Sequence, residues 1–308
     1  MSRLLITGHK GLLGSACVKV LSKSYEVVTA GDEKIDLRNK DEVYWLFNRL
    51  NPSAVIHCAA RVGGVKANRD HPIDFIYDNV AINGNIIAAC HAFGVKKLVN
   101  IGTSCLYPKN APVPVREESF MTGPFEPDVE AYSAAKLLAY YTCRAYRSQH
   151  GCNFVTACPA NLYGPNDKYN KESSHVIPAL ILKAFEAKKE GKKLKVWGDG
   201  SAVREFMHSH DAAEAIKIVL ERFDGSGLVN IGSGTGTTIK AISEAIAGIA
   251  GCKGVEYDTS QPVGIQEKTF DVSKLTALGF KPRIDLETGL KMACDEYREK
   301  QADGTLRI

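Results

Sequence analysis

The sequence predicts an α/β fold, a doubly wound parallel sheet joined to a smaller, mostly helical lobe. Three observations predict it. Short apolar runs alternate with helical-period segments through the first 160 residues, the pattern of a parallel sheet covered on both faces. Gly8, Gly11 and Gly14 follow the first of those runs and open the first helix. After Asn161 the alternation gives way to a turn cluster, Tyr163-Gly164-Pro165-Asn166-Asp167, and to longer helical stretches.

The elements follow in order. Residues 4–7 read as a short strand and 12–22 as a helix. A strand over 25–30, a helix over 40–51 and a strand over 54–58 come next. Residues 72–93 read as a long helix, 97–101 as a strand, 130–150 as a second long helix and 153–158 as a fifth strand. The second half predicts helices over 176–190, 211–222, 238–250 and 286–300, with strands over 194–197 and 228–231. Thr237 or Thr238 suits the cap of the helix over 238–250. We expect residues 1–160 to form one domain, with a later stretch, 194–235, returning to it. Residues 161–193 and 236–308 then make the second lobe.

With 308 residues, 44% hydrophobic and 24% charged, the chain has the composition of an ordinary globular protein with a large core. A net charge of +4 is too small and scattered to argue for nucleic acid. The run Lys188, Lys189, Lys192, Lys193, Lys195 reads as a solvated helix end. The first residues enter a strand without the apolar run of a secretion signal. No stretch is apolar and long enough to span a bilayer. Nine cysteines, without a Cys-x-x-Cys pair, read as reduced thiols of a cytoplasmic protein.

Gly8-His9-Lys10-Gly11-Leu12-Leu13-Gly14 sits between a strand and a helix, and that context gives a glycine motif its weight. Gly8 permits the tight turn, Gly11 a close approach to a pyrophosphate, and Gly14 close helix–strand packing. The helix start, with Leu12, offers unpaired N–H groups to phosphate. This is the turn of a Rossmann-type dinucleotide site. Asp32 or Glu33 could bond a ribose hydroxyl and favour NAD(H). Lys10 and Lys34 could instead neutralise the 2′-phosphate of NADP(H).

Tyr132 and Lys136 are spaced to share a helix face. With Thr103 at a strand end they match a carbonyl-reducing constellation. Tyr132 can give a proton to the ketone oxygen while Thr103 hydrogen-bonds it. An ammonium from Lys136 would lower the tyrosine pKa and can hold the nicotinamide ribose. Cys105 lies two positions past Thr103. If the chain stays extended there, both side chains face one pocket and Ser104 turns away.

The glycine spacing and Tyr-x-x-x-Lys resemble the extended short-chain dehydrogenase/reductase superfamily. Thr103-Ser104-Cys105-Leu106-Tyr107-Pro108, Asn161-Leu162-Tyr163-Gly164-Pro165 and Ser174-His175-Val176-Ile177-Pro178 narrow this. Together with Val62-Gly63-Gly64, Trp197-Gly198, Arg204-Glu205-Phe206 and Lys268, over nearly the whole chain, they resemble the GDP-L-fucose synthase family. That resemblance implies a GDP-linked 4-keto-6-deoxy sugar substrate, NADP(H) as the favoured cofactor and a homodimer. It assigns Cys105 as base and His175 as acid for inversion beside the ketone, and Thr103, Tyr132 and Lys136 to its reduction. It places Asp36 and Leu37 beside the adenine, and His175 against the cofactor as well. It places Asn161, Val176, Leu180, Lys183, Trp197, Arg204 and Lys268 along the nucleotide-sugar site. Lys183 stands where the family often has Arg. A relative acting on another 4-keto-deoxy sugar, such as the colitose precursor, stays open. A 4,6-dehydratase does not fit, because its Thr-Asp-Glu is Thr103-Ser104-Cys105 here.

His208-Ser209-His210-Asp211 has the look of a metal cluster. It lacks further ligands, so it reads as a strand end with a helix cap at Asp211 and no metal.

Overall fold

The computed structural model describes residues 2–170, 174–260 and 265–308. The first half alternates as its apolar runs require: β1 (Arg3–Thr7), α1 (Leu12–Leu21), β2 (Glu26–Val28), α2 (Lys40–Leu50), β3 (Ala54–His57), α3 (Val65–Asp70), α4 (Pro72–Ala92), β4 (Lys97–Ile101), α5 (Glu130–His150) and β5 (Asn153–Pro159). Helix ends carry local stops. Asn39 caps α2 by accepting from the Asp41 and Glu42 N–H groups, and Gly151 ends α5 in the left-handed region. Short α3 was not expected; its six residues are too few to show a period.

The second half contains β6 (Asn161–Tyr163), α6 (Val176–Lys189), β7 (Leu194–Trp197), β8 (Val203–His208), α7 (Ser209–Arg222), β9 (Leu228–Ile231), β10 (Gly236–Thr238), α8 (Ile239–Ala250), β11 (Val255–Asp258), β12 (Glu267–Lys268), α9 (Ser273–Ala277) and α10 (Leu286–Ala302). Thr238 caps α8, accepting from the Ala241 N–H at 3.1 Å. The strands β6, β10, β11 and β12, of two to four residues, were not foreseen. Runs that short carry no period to read.

The main sheet has the order β2-β1-β3-β4-β5-β9, every pairing parallel. Alternate residues of each strand feed two cores. Leu4, Ile6, Ile56, Val99, Val155 and Val229 pack toward α1 and α7. Leu5, Val55, Leu98 and Phe154 pack toward α2, α4 and α5. This doubly wound arrangement is the one the apolar runs predict. A third core, with Ile181, Phe185, Ile246 and Tyr297, joins α6, α8 and α10. Of the later segments, β9 joins the main sheet, whereas β7 pairs with β11 in a separate ribbon. β8 pairs with β6, β10 and β12.

The histidine segment differs from expectation. His208, not Asp211, caps α7: its ring nitrogen accepts from the His210 N–H at 3.2 Å. Asp211 sits inside the first turn and its carboxylate accepts from the Arg283 and Ile284 N–H groups, both at 2.8 Å. It anchors the chain leading into α10 instead.

Candidate active site

The carboxyl ends of β1, β3, β4 and β5 converge, and there an open parallel sheet binds its ligands. Gly8 has φ +68°, and a Cβ on it would meet the Ala59 nitrogen at 2.7 Å. A Cβ on Gly14 would lie 2.1 Å from the Gly8 carbonyl oxygen. Both glycines are therefore required for α1 to start this close to β1 and β3. Gly11 caps α1 without a side-chain hydrogen bond, so the first amides of α1, from Leu12 on, keep no side chain over them. A Cβ-free cradle at a helix N-terminus fits a dinucleotide pyrophosphate.

At the end of β2, Lys10 pairs with Asp32 at 3.0 Å, and its charge holds the Asp32 carboxyl below the usual range. Glu33 is taken by Arg49. Lys34 is exposed. The Asp36 carboxylate is forked by Arg38 at 2.8 Å, which also lowers its pKa. Leu37 packs under the sheet, and Asn85 fixes it by donating to its carbonyl at 3.0 Å.

Thr103, Tyr132 and Lys136 come together at the end of β4. Lys136 is 2% exposed and donates to the Ile101 carbonyl at 2.7 Å. Burial pushes its pKa down to about 8. Tyr132 packs edge-on against Phe75. Its pKa is raised, chiefly by burial and then by the Cys105 thiol, while a hydrogen bond from Thr103 opposes the rise. This corrects the expectation that Lys136 lowers it: the ammonium is committed to a backbone carbonyl, and desolvation governs the phenol.

Cys105 faces this group, but not through an extended strand. Residues Ser104–Leu106 form a 3-10 turn, and the Thr103 hydroxyl accepts from the Cys105 N–H at 3.2 Å. Ser104 therefore lies in the turn rather than on the far side of a strand. The thiol is close enough to act electrostatically on both Tyr132 and Lys268.

His175 is the N-cap residue of α6, yet its ring makes no capping hydrogen bond. It is reached by solvent while enough protein surrounds it to lower its pKa by desolvation. Val176 is exposed beside it and Leu180 is buried one turn on. The Lys183 ammonium lies 5.1 Å from the ring centre of Trp197, whose indole is 66% exposed. Arg204 and Lys268 are register partners on β8 and β12, and desolvation lowers both pKa values. The Asn161 amide donates to the Glu205 carbonyl at 2.9 Å, beside Arg204.

Sequence reasoning missed two supports. Glu205 is 1% exposed, and its carboxylate accepts from the N–H groups of Ser233 (2.5 Å), Gly234 (2.8 Å) and Phe270 (2.7 Å). It thus ties the strand carrying Arg204 to the chain carrying Lys268. The sequence marks it only as part of the Arg204-Glu205-Phe206 motif and gives no sign that its carboxylate is buried. The second is a polar row. Thr7, His57, Asn100 and Thr156 are buried register partners across β1, β3, β4 and β5. They continue the face of Leu5, Val55, Leu98 and Phe154. His57 bonds Thr7 at 2.7 Å and the Asn83 amide oxygen at 3.1 Å. An amide oxygen only accepts, so Nε2 carries the proton. Burial, with Lys136 adding to it, pushes the His57 pKa down to about 3 and keeps the ring neutral. Polar residues interrupting four apolar strands at matching positions were the available signal.

Comparison with known proteins agrees with this geometry. Residues 4–232 match the NAD dependent epimerase/dehydratase family. The chain is 41% identical over 304 residues to a GDP-L-fucose synthase of Sinorhizobium fredii, covering 98% of this chain and 97% of that one. It is 35% identical to a GDP-L-colitose synthase of Yersinia pseudotuberculosis over 98% of this chain and all of that one. A solved GDP-L-fucose synthetase of Naegleria fowleri bound to NADP superposes with a TM-score of 0.91 at 28% identity, covering 100% of this chain and 96% of that one. With this glycine cradle, this Thr-Tyr-Lys group and relatives matched end to end, the chain belongs to the NAD dependent epimerase/dehydratase family, in the GDP-L-fucose synthase group of the extended short-chain dehydrogenase/reductases.

Proposed function

We propose that the chain converts GDP-4-keto-6-deoxy-D-mannose to GDP-L-fucose, inverting carbons 3 and 5 and then reducing the ketone at carbon 4. One observation carries this reading: Cys105 follows Thr103 in the turn that ends β4, its N–H bonded to the Thr103 hydroxyl at 3.2 Å, and its thiol acts on the Tyr132 phenol. A plain reductase has no use for a base there.

The ketone acidifies the hydrogens on carbons 3 and 5. Cys105 removes one of them, and the resulting enolate oxygen is held by Thr103 and Tyr132. His175 returns a proton from the opposite face, which inverts the centre. Gly8, Gly11, Gly14 and the first amides of α1 would hold NADPH, which would supply the hydride for carbon 4. Tyr132 then donates its proton to the alkoxide. An alkoxide is far more basic than a phenolate, so a phenol kept neutral by burial is already a competent donor. Lys136, with a pKa near 8, holds the ribose and can return a proton to the phenol at working pH. Lys10 stands at the ribose end of the cradle and favours the 2′-phosphate of NADP(H) over NAD(H). Arg204 and Lys268 receive the diphosphate, Trp197 stacks on the base, and Asn161, Val176, Leu180 and Lys183 complete the wall. Residues after 160 supply most of this substrate side.

The likeness to a colitose synthase supports a second reading, the same chemistry on another GDP-linked 4-keto-deoxy sugar. Incubation with GDP-4-keto-6-deoxy-D-mannose and NADPH or NADH, with the product identified by NMR, separates the two. GDP-L-fucose is expected, faster with NADPH. In Cys105→Ser the inverted product should vanish while slow direct reduction persists. Equal loss of both activities overturns the division of roles.

A further inference from the structure

The turn that carries Cys105 closes on two backbone bonds. The Leu106 N–H donates to the Thr103 carbonyl at 3.1 Å, and the Tyr107 N–H to the Ser104 carbonyl at 3.3 Å. A lone 3-10 turn has poor hydrogen-bond geometry and holds its shape only with outside support. Tyr107, the next residue, supplies that support. It is 1% exposed, and its phenol donates to the Asn230 amide oxygen at 2.6 Å.

Asn230 is fully buried on β9, at the edge of the main sheet. Its Nδ2 donates to the carbonyls of Val115 at 3.0 Å and Asp271 at 3.1 Å, and its N–H donates to the Glu117 carboxylate at 3.0 Å. Turning the amide over would set its oxygen against two carbonyls, so the Tyr107 hydroxyl is the donor and Oδ1 the acceptor. The Tyr107 ring also meets Phe270 edge-on, with ring centres 5.6 Å apart. Phe270 and Asp271 lie just past Lys268 in the chain. One buried knot thus joins the turn bearing the thiol, the sheet edge at β9 and the segment bearing Lys268. Tyr132 and Lys136 stand on α5, outside this knot.

We propose that Tyr107 is a positioning residue: its hydroxyl, through Asn230, holds the Cys105 turn in place against the segment that carries Lys268. This rests on the reading of Cys105 as the base of inversion. A base has to lie within hydrogen-bond reach of the proton it removes, and a displacement of about 1 Å can cost roughly 10²-fold in rate. Reduction uses Tyr132 and Lys136, which α5 fixes, and Thr103, which precedes the turn. Loosening the far end of the turn therefore harms inversion first.

The test uses Tyr107→Phe, which removes one oxygen atom and keeps the ring. The full chain is incubated with GDP-4-keto-6-deoxy-D-mannose and NADPH, and NMR gives the ratio of inverted to uninverted reduced product. That ratio should fall about tenfold or more. A loss of stability alone lowers both products together and leaves the ratio unchanged. Asn230→Ala should lower the ratio too, and the double variant no further than Asn230→Ala, because Tyr107 acts through Asn230. Amide hydrogen exchange supplies a readout that needs no substrate. In Tyr107→Phe, residues 103–107 should exchange about fivefold faster, with α5 unchanged. An unchanged product ratio, unchanged exchange at 103–107 or additive losses in the double variant overturn the proposal. If the unaltered protein gives no inverted product, the proposed function falls, and the exchange comparison alone decides whether the phenol holds the turn.

Discussion

At the scale of single residues, burial decides the chemistry more than charge pairing does. Tyr132 is kept neutral by desolvation, and the Lys136 pKa is drawn down to about 8 by it. Tyr132→Phe should reduce hydride transfer by about 10²-fold or more while NADPH binding, read by fluorescence titration, stays near normal. A nearly normal rate would remove Tyr132 from the mechanism. Asp167 shows the same force acting on stability. Burial raises its pKa from 3.8 to about 7, with Glu296 adding and Arg307 opposing. Between those values the folded chain holds the proton more tightly than the unfolded one. Its contribution is therefore most favourable at low pH and is lost as pH rises from about 4 to 7. Asp167→Asn keeps an acceptor for the Lys168 N–H, bonded at 2.8 Å. It should be more stable than the unaltered protein by roughly 1–3 kcal/mol at pH 8, with the gain shrinking toward pH 4. A gain that does not vary with pH in urea unfolding would contradict this account.

At the scale of elements, the joint between β1 and α1 has no slack. Gly14→Ala puts a methyl where only 2.1 Å separates it from the Gly8 carbonyl oxygen. The helix start has to move, at a cost of about 1–3 kcal/mol. NADPH affinity should drop about tenfold or more, since phosphate contacts need the amides in place. Unchanged affinity would show that the cofactor does not use this cradle. Glu205 does comparable work for the opposite wall. Three backbone N–H groups from two separate segments converge on one buried carboxylate, and this sets the distance between the strands bearing Arg204 and Lys268.

At the scale of the whole molecule, α4 and α5 pack side by side and leave apolar surface outward. Ile73, Tyr77, Leu138 and Tyr141 are 71%, 76%, 50% and 42% exposed. Leu138 and Tyr141 line a shallow groove of about 310 Å³ together with Ala145 and Tyr146. Surface of this kind marks an interaction site, and we propose that a second copy of the chain covers it. The unaltered protein should sediment as a dimer and Leu138→Asp/Tyr141→Asp as a monomer. A monomeric unaltered protein would refute the pairing. No helix among the described residues is long and apolar enough to cross a membrane.

The sequence by itself determined the doubly wound sheet and the glycine turn, and it singled out Thr103, Cys105, Tyr132, Lys136 and His175 as the candidates for the chemistry. Periodicity, glycine spacing and short motifs are local signals, and each of these features is written within a few neighbouring residues. Tertiary structure alone decided the 3-10 turn that aims Cys105, the commitment of Lys136 to the Ile101 carbonyl and the capping of α7 by His208. It also decided the burial and the hydrogen-bond partners of Glu205 and His57. Glu205 meets Phe270 across a separation of 65 positions. His57 is neutral because the folded chain buries it completely and sets the Lys136 charge nearby. Desolvation and long-range pairing depend on what folds against a residue, and no local pattern in the chain encodes that.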